Sequence, residues 1–226
     1  MSLVVVDGDD TLWETEHLYD EARASVRNFI EAEGYDGEAW ETEARRLDRE
    51  RLVELGFSQD RFPGSLRLAF ESIAGKNSYP FLSDAVEHMA REPFRRRIIP
   101  YPTAYSGLEA LREKAETIVL LTKGDQRVQT KRVQDSGLVS FMDAVIIVPV
   151  KVASTFANIK KLYNSPSQCW SIGNSFHSDI VPAEEAGMNG MWVDQYVWDG
   201  ERGAEADGRT PYATFGRAVD HILQEL

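Results

Sequence analysis

Three carboxylates stand together behind a short β-branched run, in Val6-Asp7-Gly8-Asp9-Asp10-Thr11-Leu12-Trp13. Like charges this close repel, so a cation or a shared proton must compensate them. An acidic segment of this kind serves either as a turn or helix N-cap or as a site for nucleophilic and acid–base chemistry. A calcium loop is excluded. Counted from Asp7, the sixth position is Leu12 instead of glycine and the twelfth is Leu18 instead of glutamate.

Three further fragments place polar groups after apolar runs. Leu121-Thr122-Lys123-Gly124-Asp125 offers a hydroxyl, a cation and a glycine that permits close approach. Backbone N–H groups there can cradle a phosphate, with Asp125 as the helix N-cap. Lys151, in Pro149-Val150-Lys151, is either a solvated surface lysine or a charge partner for the acids. Ile172-Gly173-Asn174-Ser175-Phe176-His177-Ser178-Asp179 adds oxygen-bearing side chains and another acid.

Chemistry spread over four distant fragments needs a scaffold that gathers them. The apolar runs Leu3–Val6, Thr117–Leu121, Ala144–Val148, Cys169–Ile172 and Gly190–Val193 have the look of buried parallel strands, and Tyr212–Phe215 is a sixth, weaker candidate. Helical patterns separate them at Gln126–Ser136, Ser154–Tyr163 and Ser178–Ala186, and a last one carries Val219, Ile222, Leu223 and Leu226 on one face. This alternation predicts an α/β fold, a doubly wound parallel sheet of Rossmann-like type. Ligands in such folds bind at the carboxyl ends of the strands, where all four fragments fall.

Residues 16–97 break the rhythm. Leu18, Ala22, Val26, Phe29 and Ile30 form one helical stripe, and further helical patterns run over Glu38–Leu55, Gly64–Ile73 and Leu82–Arg91. An all-helical insertion over 16–97 is therefore expected within a core of 1–15 and 98–226. Its return, Ile99-Pro100-Tyr101-Pro102, is stiffened by two prolines. Asp199–Arg209 reads as a surface loop, and Trp192, Tyr196 and Trp198 as packing at the core's edge. His17, His88, His177 and His221 read as structural or surface residues.

Composition narrows the function classes. The chain has 226 residues, 42% hydrophobic and 27% charged, with a net charge of −12. That is globular composition, and the acidity argues against nucleic acid or an anionic membrane as partner. No apolar run reaches the roughly 18 residues of a membrane span. The single Cys169 excludes an internal disulfide and a multi-cysteine zinc site. A cytoplasmic monomer or homodimer acting on a small molecule is the expectation.

In their order, Asp7, Asp9 and Thr11, then Thr122, then Lys151, then Gly173 with Asp179, these residues resemble the motifs of the haloacid dehalogenase-like hydrolase superfamily. The resemblance covers the whole chain, with residues 16–97 in the place of that family's helical cap, which would select the substrate and exclude water. It implies a phosphatase. Asp7 would be the nucleophile and Asp9 the general acid and base. Thr122, Lys123 and Gly124 would bind the phosphoryl group, and Lys151 would neutralise charge. Mg2+ would be held by Asp7, Asp9 through its carbonyl, Asn174 and Asp179. Asn174 departs from the pattern, because most metal-dependent members carry an aspartate there. Two other readings remain: a metal-independent 2-haloacid dehalogenase, which Asn174 favours and Asp9 opposes, and a phosphate-binding relative without turnover.

Overall fold

A computed structural model of the protein describes residues 2–75, 79–194 and 208–226. The chain divides into two compact units, one made of the residues up to Glu16 with Arg97–Leu226, the other of His17–Arg96.

The first unit is built on five parallel strands: β1 (Ser2–Val6), β2 (Thr117–Lys123), β3 (Ala144–Val148), β4 (Gln168–Gly173) and β5 (Asn189–Trp192). Their order is β3-β2-β1-β4-β5. All five residues of β1 are buried, as its central place between β2 and β4 requires. Leu3, Val5, Val119, Leu121 and Cys169 pack on one face against Phe156, Ile159, Ala183 and Met188. The chain adds strands to one side of β1, then returns to the other, so the strand order reverses between β1 and β4. That is the switch point at which a crevice opens beyond the carboxyl ends.

Helices α6 (Pro102–Lys114), α7 (Gln126–Ser136), α8 (Ala153–Leu162), α9 (Val181–Glu185) and α10 (Phe215–Glu225) flank the sheet. Asp125 caps α7 by accepting from the N–H groups of Arg127 and Val128, and Gly137 closes it in the left-handed conformation, φ 71°. Both signals were legible in the sequence.

In the second unit, α1 (Glu16–Ala32) enters from the end of the first. It is followed by α2 (Gly37–Leu55), α3 (Arg61–Ala74), α4 (Pro80–Ala90) and the short α5 (Glu92–Arg95). Its core is Val26 and Ile30 of α1, Trp40 of α2, Leu66 and Phe70 of α3 and Val86 of α4. The buried pair Arg61–Asp48, at 2.7 Å, joins α3 to α2.

The structure departs from the sequence expectation at three places. Tyr212–Phe215 is not a strand: Tyr212 makes one isolated bridge to Val193, Thr214 caps α10 and Phe215 begins it. The helix expected over Ser178–Ala186 opens with a π-helical turn, Phe176–Ile180, before α9. Pro102 does not merely stiffen a connection but starts α6, where its missing N–H costs nothing. Tyr196, Trp198 and most of the loop expected over Asp199–Arg209 lie outside the described residues.

Candidate active site

Asp7 is the first residue beyond β1, and its N–H donates to Ile172 O at 2.9 Å. The turn that follows is drawn tight by Gly8, whose carbonyl accepts from the N–H groups of Thr11 and Leu12 at 3.2 and 2.8 Å. Gly8 is required there by space, since a Cβ would lie 2.5 Å from the Trp13 ring. Asp10 holds φ 56° and is buried. It uses its carboxylate to accept from Thr15 N at 2.8 Å, Thr15 Oγ1 at 2.6 Å and Glu16 N, capping the start of α1. Burial pushes its carboxyl up to about 6.

The turn delivers Thr11 to Asp7. Thr11 Oγ1 lies 3.0 Å from Asp7 Oδ2 and 3.3 Å from Asn174 Oδ1, and accepts from Asn174 N at 3.0 Å. The loop after β1 is thereby tied to the loop after β4. Lys151, buried, places Nζ 2.5 Å from Asp7 Oδ1 and 2.6 Å from Asp179 Oδ1. Asp179 is held in turn by Ser175 N, which donates to its Oδ2 at 3.0 Å, and by Ser171 Oγ, which donates to its carbonyl at 2.8 Å. One ammonium thus bridges two buried carboxylates. Burial and the Asp179 charge push the Asp7 carboxyl up, against the pull of Lys151. Burial opposes the charge on Lys151, but Asp179 and Asp7 outweigh it and hold its pKa above the ordinary lysine value.

Asp9 belongs to a different set of partners. Its Oδ1 accepts from Trp13 Nε1 at 2.7 Å, and its Oδ2 from Gln129 Nε2 at 2.7 Å and from the Arg132 guanidinium. Thr122 is buried near the carboxyl end of β2, paired in register with Ile147. Lys123 donates to Ser178 Oγ at 2.7 Å, spanning from β2 to the turn after β4. Gly124, at φ 136°, needs its freedom, because an L side chain there would be strained and its Cβ would lie 3.1 Å from Gln129 Nε2.

The structure therefore brings Asp7, Thr11, Lys151, Asn174 and Asp179 into one bonded network and Asp9 into a second. Lys123 joins through Ser178 and Gln129, while the Gly124 N–H, expected to bind the phosphoryl group, donates instead to Val148 O at 2.9 Å and continues the sheet. Trp13 and Ser175 stood in the sequence fragments without these contacts, and Gln129, Arg132 and Ser171 were missed by sequence reasoning. The signal for two of them was present but faint: polar residues spaced by three share one face of α7, yet a sequence does not say which face is buried.

The oxygens here suit a hard cation. Asp7 Oδ2 and Asn174 Oδ1 converge on the single Thr11 hydroxyl, which carries one proton for two acceptors. Among the described residues no group of three or more His, Cys, Asp or Glu is arranged to hold a metal ion. A hard cation needs only one or two carboxylates with neutral oxygens and waters, and Asp7 with the Asn174 carboxamide offers such a pair. The Asp179 oxygens are both engaged, with Lys151 and Ser175.

The family model for haloacid dehalogenase-like hydrolases matches residues 1–187. The chain is 24% identical over 209 residues to a glyceraldehyde 3-phosphate phosphatase of Methanothermobacter thermautotrophicus, covering 89% of each. Among solved structures, a haloacid dehalogenase-like family hydrolase from Xanthomonas campestris superposes with a TM-score of 0.81 at 22% identity, over 100% of this chain and 92% of that one. The L-2-haloacid dehalogenase of Xanthobacter autotrophicus gives a TM-score of 0.62 at 17% identity, over 97% of both chains. Both structural likenesses speak for the fold. No described helix is long and apolar enough to cross a membrane.

Proposed function

The chain belongs to the haloacid dehalogenase-like hydrolases, and within them we propose a magnesium-dependent phosphatase of a small phosphate monoester that works through an aspartyl-phosphate. The observation that carries this reading is the separation of two acids. Asp7 is bound to Lys151 and Thr11, while Asp9, two residues on, is held by Trp13, Gln129 and Arg132. A nucleophile and an acid–base need different surroundings, and here they have them. The similarity to a phosphatase is in keeping with it.

An Asp7 carboxylate oxygen attacks phosphorus, the bond from phosphorus to the ester oxygen breaks, and the Asp9 carboxyl gives its proton to the departing alkoxide. Asp9 then takes a proton from water as that water attacks the aspartyl-phosphate. The bond from phosphorus to Asp7 breaks, and phosphate leaves. Lys151 offsets the charge gathered at Asp7, and Thr122 and Lys123 hold the phosphoryl oxygens. Asp7, Asn174 and the Asp9 carbonyl would hold Mg2+ directly and Asp179 through water. The ion would supply the positive charge that lets a phosphate approach the acids. The helical unit is assigned as the cap, and the substrate as a small phosphorylated molecule.

Asn174 favours a second reading, a metal-independent dehalogenase in which Asp7 displaces halide from carbon. One experiment separates the two. Phosphate release from a panel of phosphate esters, with magnesium or with chelator, is set beside halide release from 2-chloropropionate. The phosphatase reading expects magnesium-dependent phosphate release that Asp7→Asn abolishes. Release at the wild-type rate by Asp7→Asn removes the nucleophile, and halide release in chelator without phosphate release replaces the reading by the second.

A further inference from the structure

Asp9 stands in a turn, between Gly8 and the left-handed Asp10, where an isolated bridge pairs its backbone with Trp13. Two side chains of α7 hold its carboxylate. Arg132 pairs with Asp9 Oδ2 with its side chain only 6% exposed, and Gln129 donates to the same oxygen at 2.7 Å. The Gln129 amide cannot be turned round. Its Nε2 faces two acceptors, Asp9 Oδ2 and the Lys123 carbonyl at 3.0 Å, so the nitrogen must lie on that side. The cost is visible, because Gln129 Oε1 is buried with no hydrogen-bond partner. The Lys123 carbonyl ends β2, directly after Thr122. The acid–base is thus held from the segment assigned to bind the phosphoryl group. On the other side, Trp13 Nε1 holds Oδ1 at 2.7 Å.

We propose that Arg132 and Gln129 are positioning residues that aim the Asp9 carboxylate at the leaving-group oxygen, an inference that rests on the acid–base role given to Asp9 above. A displacement of about 1 Å at a reacting group can cost a hundredfold in rate. That cost falls where a proton must be delivered. In the step that forms the aspartyl-phosphate, an alkyl phosphate, whose alkoxide leaves only when protonated, depends on the aim of Asp9, whereas p-nitrophenyl phosphate, with a stable leaving anion, does not; hydrolysis of the aspartyl-phosphate is common to both.

The test measures kcat/KM, which ends at departure of the alcohol and leaves out the hydrolysis shared by all esters, for an alkyl phosphate and for p-nitrophenyl phosphate in wild type, Asp9→Asn, Arg132→Met, Arg132→Lys, Gln129→Met and the double variant Asp9→Asn/Arg132→Met. Circular dichroism checks that each is folded. Arg132→Met and Gln129→Met should lower kcat/KM for the alkyl ester by about ten- to a hundredfold. For p-nitrophenyl phosphate they should cost less than about twofold, and Arg132→Lys should restore part of the loss. In the Asp9→Asn background, Arg132→Met should add almost nothing, because the two changes remove one interaction. Equal losses on both esters, or full additivity with Asp9→Asn, would show a structural arginine and overturn the proposal. A slow Asp9→Asn beside unaffected Arg132→Met and Gln129→Met overturns it alone. An Asp9→Asn that spares the alkyl ester overturns the role of Asp9 itself, and the positioning proposal with it.

Discussion

Asp179 packs its carboxylate against the backbone of Gly173 so closely that a Cβ on residue 173 would lie 2.3 Å from the carboxyl carbon. Gly173 has no positive φ, so space alone demands glycine here. The same carboxylate receives Lys151 at 2.6 Å, which links the absence of one side chain to the charge state of the site. Gly173→Ala should therefore push Asp179 off Lys151 and cost about 1–3 kcal/mol from overpacking. Activity should fall with it, since Lys151 would lose one of its two anchors beside Asp7. Denaturant unfolding and steady-state rates check this. Unchanged stability would mean that Asp179 can move without penalty.

Asn174 supplies an oxygen but no charge at 3.3 Å from Thr11 Oγ1, beside Asp7. A carboxylate there would add attraction for a divalent ion, much of it cancelled by dehydration. A net gain of about 1–2 kcal/mol is expected, or roughly ten- to thirtyfold in affinity. Asn174→Asp should lower the magnesium half-saturation by that factor, in calorimetric titration of the protein alone and in activity, while the preferred ester stays the same. Identical binding isotherms for the two proteins would take residue 174 out of the metal's surroundings.

Asp10 gives a pH dependence of known sign. Burial holds its carboxyl at about 6 in the folded chain against an ordinary value of 3.8. Between those values the folded state binds the proton more tightly than the unfolded state. This group's contribution to stability is therefore greatest below about pH 4 and is lost as pH rises to about 6, by up to about 3 kcal/mol. Asp10→Asn keeps an oxygen for the N–H groups of Thr15 and Glu16 and removes the titration. Subtracting its unfolding free energy from that of the wild type isolates the group from the other carboxylates. The difference should move against the wild type from pH 4 to pH 6 and stay level above. A flat difference across that window would show that Asp10 is already ionised at low pH.

Much of the fold was written locally. The central strands β1, β2 and β4 were legible because a strand buried on both faces reads as an unbroken apolar run, as Leu3–Val6 does. The caps Asp125 and Gly137 of α7 were legible because capping depends on neighbours within a turn. Tyr212–Phe215 misled for the same reason: an aromatic, β-branched run has strand propensity, but its Thr214 hydroxyl and the buried face of α10 decided for a helix start. α6 went unread because its first turn is marked by Pro102, a residue that suits a helix start and a stiff connection equally.

The sequence by itself determined which chemical groups stand at the carboxyl ends of β1, β2 and β4 and after β3, since strand position and residue type both travel with the chain. It could not determine how those groups are paired. That Lys151 bridges Asp7 and Asp179, and that Asp9 turns instead to Gln129 and Arg132, are contacts between residues 28 to 144 positions apart in one network and 120 and 123 in the other. Only the order β3-β2-β1-β4-β5 decides them, because the hydrogen-bonded register of the strands sets which loops meet. A carboxylate's partners, and with them its protonation and its aim, are properties of three-dimensional surroundings at distances of about 3 Å.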